Sequence, residues 1–468
     1  MDQSERSSPQ RAQRQKALQR QVQRYQRHLD RLSVINRRYS WYRLVAFLLG
    51  LAAIWLALVY LNSQAVWLTI ALSLVFFSLV VYFHRRLDHH ILRFKISQQV
   101  KADKLRRMKL EWEEIPYSWY KPSHERSPLE IDLDLTGQRS LHHLLDLAIS
   151  KEGSVLLADW LSEPERDLEQ ISYRQATVRE LTTLPGFIDR LLLNLKLVSQ
   201  EQLQGERLLA WLSVQVPSRR LNAVLAAGVV LSVLNAVLFI LNVSGRLPAY
   251  WPFTLVLTFG LYLFNSGVVG ELLNAVVALE GELDKFKALL RFLETYPYQG
   301  HEQLQSLTAV FTDPHKLPTA QINRIRWVTV AIGLRSNPLL AFLLNAILPW
   351  DFAFAWLAKR MQGGMEALLP DWLQVWYRLE ALCSLANFAY INPEYRFPEF
   401  FEEAGQEAGG EIFQAVEMGH PLIIAERKVC NDFSIPAQGE VILITGSNMA
   451  GKSVYLRQAA LITDLIVR

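Results

Sequence analysis

Eight residues near the end of the chain carry the clearest chemical signal in the sequence. They read, in order, Gly446, Ser447, Asn448, Met449, Ala450, Gly451, Lys452 and Ser453. The series fits the pattern G-x-x-x-x-G-K-[ST] at every fixed position. The two glycines permit backbone angles and close approach that a Cβ would obstruct, so consecutive amides can curl around phosphate oxygens. Lys452 would reach the β- and γ-phosphates and the Ser453 hydroxyl would hold Mg²⁺, which predicts a site for ATP and Mg²⁺.

The elements on either side of this motif are the ones that its chemistry requires. A β-branched apolar run from Val441 to Thr445 precedes it and predicts a buried strand. Helix-compatible sequence follows from Val454 to Val467. The start of that helix would direct the positive end of its dipole at the phosphates. Strand, loop and helix in this order distinguish a phosphate cradle from a chance glycine-rich turn.

Two pairs of long apolar runs predict membrane spans. The chain is 51% hydrophobic and 20% charged, which favours a membrane protein over a disordered one. The first pair is Leu44–Leu61 and Ala65–Phe83, and the second is Leu221–Val243 and Trp251–Gly270. Each run is close to the length that spans about 30 Å of hydrocarbon. Arginines and lysines flank the outer ends of the first pair, so both termini and the phosphate site are expected on the cytoplasmic side of the plasma membrane.

A fifth apolar stretch, Leu339 to Trp350, predicts a different environment. It has only twelve residues, includes Asn345 and Pro349, and runs directly into Asp351. A charged residue at the centre of a bilayer costs about 2.5 to 3.5 kcal/mol. We therefore expect a buried helix of the globular part here.

The first 43 residues form a basic arm. They contain eleven arginines and lysines against three acidic residues, whereas the whole chain has a net charge of only +4. Apolar residues recur at alternating spacings of four and three, which predicts a helix with one apolar seam: Leu18, Val22, Tyr25, Leu29 and Leu32. Its basic side could attract anionic lipid heads or nucleic-acid phosphates, and we favour lipid heads or a simple topology signal.

The remaining sequence predicts a mainly α-helical cytoplasmic part. We divide it into a linker at 84–130, helical core residues at 131–220, lever and core helices at 271–410, and the first part of a nucleotide-binding domain at 411–468. A stripe of apolar residues after the second hairpin predicts one long helix continuing out of Gly270: Leu272, Val276, Leu279, Leu283, Phe286, Leu290 and Leu293. Such a helix could transmit motion between bilayer and cytoplasm, or serve as a rigid strut.

Several segments together resemble the MutS mismatch-repair family. The resemblance is strongest from Ile442 through the motif to Gln458, and includes Gly419–Leu422 and Val429–Asp432 as opening strands of the ATPase domain. Weaker matches in the helical core are Asp134–Gly137 with Ser140 and Leu141, Leu157–Leu161 with Pro164, and Arg174 with Gln175. The resemblance extends over about residues 130 to 468.

The resemblance implies an ABC-type ATPase that dimerises head to tail, with each nucleotide held between two subunits and coupled to lever helices. It also implies that Val429 lies near the adenine. Ser447, Ala450 and Val454 depart from the usual family text, but the fixed glycines, Lys452 and Ser453 remain. The mismatch-reading domain of the family has no counterpart, because the basic arm and membrane spans stand in its place. The sequence therefore resembles a membrane-anchored MutS-like subgroup.

Residues for ATP hydrolysis are not found in the chain. It stops sixteen residues beyond Lys452, and it has neither a hydrophobic strand ending in Asp-Glu nor a signature helix. We expect these residues to be part of a longer protein whose catalytic residues lie beyond Arg468. Two functions remain open: a membrane-anchored, dimeric ATPase that acts on DNA, and an ATP-driven membrane switch without a DNA role. A transporter is a weaker alternative, because the spans hold no acidic or basic residue.

Overall fold

The computed structural model describes residues 9–116, 127–163, 167–198, 205–314, 316–400, 413–436, 442–445 and 451–467. Within these ranges the chain is mainly helical, with one small sheet. The helices are α1 (Pro9–Tyr60), α2 (Ser63–Lys109), α3 (Pro128–Asp132), α4 (Leu141–Leu145), α5 (Lys151–Ser162), α6 (Leu168–Thr182), α7 (Pro185–Val198), α8 (Gly205–Ser213), α9 (Ser218–Val243), α10 (Trp251–Ala278), α11 (Glu280–Thr295), α12 (Glu302–Thr312), α13 (Pro318–Gly333), α14 (Pro338–Ile347), α15 (Trp350–Met365), α16 (Leu368–Ile391) and α17 (Lys452–Val467). The strands are β1 (Phe413–Met418) and β2 (Asn431–Ile435).

Helices α1 and α2 form one long antiparallel hairpin. Asn62 starts α2, because its side chain accepts a hydrogen bond from the backbone N–H of Ala65. The 52 residues of α1 are continuous, so the basic arm and the first predicted span are one helix of about 78 Å. The predicted seam faces α2: the rings of Tyr25 and Phe94 lie 6.1 Å apart, and Leu18 is buried. The helical prediction for the arm is confirmed.

Helix α2 continues without a break to Lys109, through the first part of the segment predicted as a linker at 84–130. Nine arginines and lysines between residues 84 and 109 obscure an apolar stripe whose members are four or eight residues apart. The stripe consists of Leu92, Ile96, Val100 and Met108, all packed in apolar clusters. Asp189 of α7 also pairs with Lys101 and, at 2.8 Å, with the buried Lys104. These contacts hold α2 against the core.

Three of the described helices are long and apolar enough to cross a membrane, namely α1, α2 and α9. Almost none of their apolar windows is buried within the protein, at 11%, 0% and 6%. The fourth predicted span lies in α10, which is bent by 64° between Gly267 and Val269. Its two segments meet the same criteria only when they are taken together as one span. A second bent pair, α13 with α14, would bring the total to five. These lengths and compositions are compatible with a membrane protein.

The prediction of a buried helix at Leu339–Trp350 is wrong. The corresponding helix, α14, has no buried residue, and Leu339 is 77% exposed. The prediction failed because it weighed only two environments, a complete span and a soluble core. Here the chain turns by 111° at the start of α14 and leaves it on the outside of the core.

The main apolar core is built around α16 and the helices after the second apolar hairpin. All seven residues of the predicted stripe from Leu272 to Leu293 are buried. They do not lie on one continuous helix, because α10 bends near Gly267 and the helical pattern is interrupted at Leu279 before α11. The buried indoles of Trp372 and Trp376 on α16 pack in the same cluster. The stripe was predicted correctly, and the straight helix was not.

Strands β1 and β2 form an antiparallel pair near the motif. Phe413 pairs with Ile435 and Ala415 with Phe433, and an irregularity before Met418 shifts the register. Of the two segments expected as opening strands, Asn431–Asp432 begins β2, whereas Gly419–Leu422 forms the turn after β1. The predicted buried strand at Val441–Thr445 is not seen at 442–445, where Leu443 is 84% exposed. A strand requires a neighbouring ladder, and none lies beside this segment in the described part of the chain.

Candidate functional site

The last three residues of the predicted phosphate-binding motif, Gly451 to Ser453, lie at the start of α17. Gly446, Ser447, Asn448, Met449 and Ala450 lie outside the described residues. Gly451 has a φ of +77°, in the left-handed region that a side chain strains, so this position requires glycine. Lys452 is the first residue of α17, and the N–H of Tyr455 already bonds to the Gly451 carbonyl at 3.0 Å. The predicted loop-to-helix junction therefore begins where the motif places it.

The chemistry available at this junction suits an anion. The first backbone N–H groups of a helix have no partner within the helix and carry its positive dipole end. Ser453 is exposed and Lys452 partly exposed, and a Cβ placed on Gly451 would meet no atom within 4 Å. The amides at a helix start, an ammonium and a hydroxyl are groups that suit the phosphates of ATP and its Mg²⁺. Binding by Lys452 and Ser453 stays a prediction.

A carboxylate from the helical core positions α17. Asp134 Oδ2 lies 2.9 Å from Arg457 Nη1, across 323 residues of sequence. Both side chains are about half exposed, so the pair contributes at most about 1 kcal/mol to stability. On the other side, Tyr455 Oη donates to the Asp432 carbonyl at 3.2 Å, and its ring meets Phe433 edge-on. The helix carrying Lys452 is thus attached to both the core and the small sheet.

The loop that presents Asp134 is strained and tightly bonded. Asp134 and Arg139 both have positive φ angles, of 51° and 56°. The Asp134 carbonyl accepts from Leu141 N at 2.8 Å, and the Thr136 hydroxyl donates to the buried Glu130 at 3.2 Å. Backbone strain of this kind persists where the surroundings fix it. Sequence reasoning noted this loop only as a resemblance and did not identify Asp134 as a positioning residue.

A second set of contacts joins the small sheet to the end of α16. Lys428 Nζ donates to Tyr395 Oη at 2.6 Å, and Tyr395 Oη donates to the Gly419 carbonyl at 3.1 Å. Burial, assisted by Arg11, lowers the pKa of Lys428 to about 8. Arg11 of α1 in turn forms an ion pair with Glu394 at 2.8 Å. The first helix of the chain therefore reaches the neighbourhood of the sheet.

Val429 follows this contact region directly. It is 64% exposed on the loop between Lys428 and β2. An exposed aliphatic side chain is accessible to a ligand, and the role of Val429 near the adenine remains a prediction. No group of three or more His, Cys, Asp or Glu side chains able to hold a metal ion occurs in the described ranges. The contact of Ser453 to Mg²⁺ stays a prediction from the motif.

Comparison with known proteins supports a MutS-related kind over a short stretch. No protein-family model matches the chain. The chain is 40% identical over 93 residues to the DNA mismatch repair protein MutS of Rickettsia typhi, covering 18% of this chain and 10% of that protein. The MutS of Rickettsia prowazekii matches with the same identity and coverage. The chain thus spans about a tenth of the length of the curated relatives it matches.

Proposed function

We propose that this chain is part of a membrane-anchored, MutS-like ATPase that binds ATP and Mg²⁺ at residues 446–453, dimerises through its nucleotide-binding domain and acts on DNA. The spans would hold it in the plasma membrane, with the nucleotide site in the cytoplasm. One observation carries the proposal. The chain contains a complete G-x-x-x-x-G-K-S motif and a MutS-like stretch. Within the motif, Gly451 has a left-handed backbone conformation and Lys452 begins a helix.

Nucleotide binding tests the first part of this proposal. We expect the full chain in lipid nanodiscs to bind a fluorescent ATP analogue in the presence of Mg²⁺. Lys452→Ala should abolish binding, because it removes the point charge that faces the β- and γ-phosphates. Arg291→Ala is the control, since it removes an exposed cation from another helix without touching the motif or the contacts of α17. Unchanged affinity in Lys452→Ala would overturn the assignment of the phosphate site.

The shape of the basic arm supports a DNA role. Residues 9–43 and 84–109, the cytoplasmic halves of the first hairpin, contain nineteen arginines and lysines against three acidic residues. We call this part the basic stalk. Arg20, Arg24 and Arg27 are exposed on it. They precede the predicted span at Leu44 by about 25 to 36 Å of helix, beyond the Debye length of about 8 Å at physiological salt.

That distance favours nucleic-acid phosphates over lipid headgroups as the ligand of the outer arginines. Lipid headgroups are within reach of the arginines next to the bilayer, but not of those farther out on a stalk that stands away from it. A nucleic-acid backbone lying across the basic stalk would meet these outer arginines. We therefore favour nucleic-acid phosphate as their ligand.

Duplex DNA binding across a salt series tests this interpretation. The logarithm of the binding constant should fall linearly with the logarithm of salt concentration, by about 0.9 for each phosphate contacted. Replacing Arg20, Arg24 and Arg27 together with glutamine should weaken binding and reduce this slope. The control replaces three exposed arginines on other helices: Arg190, Arg291 and Arg360. Equal effects of both triple variants would contradict a role for the basic stalk.

A membrane switch without a DNA role is the alternative. It is favoured by one observation, namely that α10 runs from the second apolar hairpin directly into the core, where Val269, Leu272 and Val276 are buried. Motion of the nucleotide-binding domain could pass along this helix to the bilayer. ATP binding by a chain that does not bind DNA even at low salt would leave the switch as the function.

A further inference from the structure

The segment between Arg335 and Asp351 forms an apolar loop that the core leaves uncovered. Its fifteen residues, from 336 to 350, include no charged side chain. α13, with its short 3₁₀ extension at Leu334–Ser336, meets α14 at an angle of 111°. The most exposed apolar side chains of the loop are Leu339, Phe342, Leu343, Ile347 and Leu348. A continuous apolar surface of this kind marks an interaction site, because water is an unfavourable neighbour for it.

The larger polar side chains of this loop are satisfied from within the protein. Asn337 Oδ1 accepts hydrogen bonds from the first two free amides of α14, at 3.0 and 3.3 Å. Asn345 Nδ2 donates to a carbonyl one turn earlier, and its Oδ1 accepts from the Asp351 N–H, both at 3.0 Å. The Trp350 indole donates to the Ala331 carbonyl at 3.2 Å. Internal pairing of this kind is what an element surrounded by hydrocarbon requires.

The end of the loop lies beside the second apolar hairpin at the depth of its spans. A Cβ on Gly228 of α9 would be 2.8 Å from Pro349, and the rings of Tyr262 on α10 and Phe352 are 6.5 Å apart. Gly228 is seven residues beyond the predicted cytoplasmic end of its span, which is about 10 Å of helix. Tyr262 is five residues, or about 8 Å of straight helix, from the bend at Gly267, and three further residues lead to the cytoplasmic end of its span. Both estimates place Phe352 about a third of the way into a 30 Å hydrocarbon layer.

The two charges that bound the loop neutralise each other. Arg335 Nε lies 3.8 Å from Asp351 Oδ2, and their side chains are 21% and 2% exposed. Ionisable residues at membrane depth face the protein interior and pair with one another. The charge of Asp351, which argued against a membrane location on sequence alone, is therefore compatible with one.

We propose that α14 is a re-entrant membrane element, with its apolar face among the acyl chains of the cytoplasmic leaflet and both of its ends returning to the core. The inference rests on the proposed membrane anchoring. Lipid is the occupant, because α14 lies against α9 and α10, and those helices of the second hairpin also expose apolar side chains such as Val230 and Phe264. The protein would then insert a third apolar element into the bilayer, in addition to the two hairpins.

Site-directed spin labelling of the full chain in lipid vesicles tests this proposal. Cys430→Ser removes the exposed cysteine, and the buried Cys383 remains. Single cysteines then replace Leu343 in α14, Leu72 in the first hairpin and Ser306 on the exposed side of α12. A nitroxide in hydrocarbon collides more with oxygen than with a water-soluble nickel chelate, whereas one in water shows the reverse. We expect the label at 343 to resemble the label at 72 and to differ from that at 306.

Each other outcome has a distinct meaning. A label at 343 that resembles the one at 306, with the label at 72 in hydrocarbon, refutes the re-entrant element alone. Aqueous behaviour at both 343 and 72 refutes the membrane anchoring on which it rests. Low collision with both reagents at 343, relieved by dilution into excess lipid, would show a second copy of the chain covering α14 and would also overturn the proposal.

Discussion

Glu380 of α16 is fully buried against the start of α5, and its replacement by glutamine should remove a pH dependence from the stability of the core. Its carboxyl group accepts hydrogen bonds from Ile149 N at 3.1 Å and Ser150 N at 3.2 Å, and from the Ser150 hydroxyl. Burial raises the pKa of Glu380 to about 7, although these hydrogen bonds oppose the shift and Asp146 adds to it. The folded chain therefore holds a proton here that the unfolded chain releases at lower pH.

The sign and size of the effect follow from that difference. The ordinary pKa of this group is 4.5 and the folded value is about 7. The folded state binds more protons in this window, so the stabilisation is fully present below pH 4.5 and is lost as the pH rises through 7. The complete loss is about 3 kcal/mol, of which about 2 kcal/mol falls between pH 5.5 and pH 8. For a core of this size, that corresponds to a fall in Tm of about 4 to 8 °C.

Thermal unfolding of the detergent-solubilised chain, followed by tryptophan fluorescence, measures this effect. The wild-type Tm should fall more between pH 5.5 and pH 8 than that of Glu380→Gln, which mimics the protonated side chain at every pH. All other titrating groups are present in both proteins. The difference between their changes of Tm with pH therefore reports the contribution of Glu380. Glu366→Gln, which changes an exposed acid between α15 and α16, should keep the wild-type slope. Parallel slopes for wild type and Glu380→Gln would refute the reasoning.

Two further substitutions test how tightly the core is packed and paired. Gly153→Ala should destabilise the chain by about 1 to 3 kcal/mol, because the added Cβ would lie 2.5 Å from Glu380 Oε2. Gly186→Ala is the control: its Cβ would meet no atom within 4 Å, so it should be neutral or stabilising in the same thermal assay. Asp189→Asn should cost about 3 to 5 kcal/mol, since it leaves the buried ammonium of Lys104 without its carboxylate. Adding Lys104→Met should restore most of the lost Tm, and no recovery would indicate that the ion pair is not the cause.

The sequence predicted the helical elements best where apolar residues recur over a long stretch. The stripe from Leu272 to Leu293 is buried at every predicted position, and the seam of the N-terminal arm faces α2. Periodicity reports which residues share a face, but not whether the axis is straight. The bend near Gly267 and the interruption at Leu279 depend on tertiary packing, so the straight helix was wrong while the stripe was right.

Charged residues made two other helices, α2 and α14, hard to predict from the sequence. The stripe in residues 84–109 lies among nine cations, and a reader of the sequence sees a polar connection where α2 continues. At α14 the error was different, because only a complete span and a buried helix were considered and Asp351 was treated as an isolated charge. Its partner Arg335 is sixteen residues earlier in the chain, and only the 111° turn brings the two together.

The candidate site was predictable in part, because short motifs carry local geometry. Gly451 and the start of α17 at Lys452 agree with the predicted junction. Residues 446–450 and the binding of ATP and Mg²⁺ stay predictions. Asp134 and Arg457 are 323 residues apart in the sequence. The residues around each of them do not predict that the two side chains form an ion pair.

The docking of Arg11 on Glu394 has a consequence for biosynthesis. The two residues are separated by 383 positions, so the first helix leaves the ribosome long before its docking surface exists. At about 5 to 20 residues per second, the N-terminal end of α1 waits about 20 to 80 s for α16 to emerge. During that interval the contact of α1 with Met108 of α2 can form, but the ion pair between Arg11 and Glu394 cannot. A chaperone that binds basic amphipathic helices would therefore find its substrate in the nascent chain and lose it once translation passes residue 394.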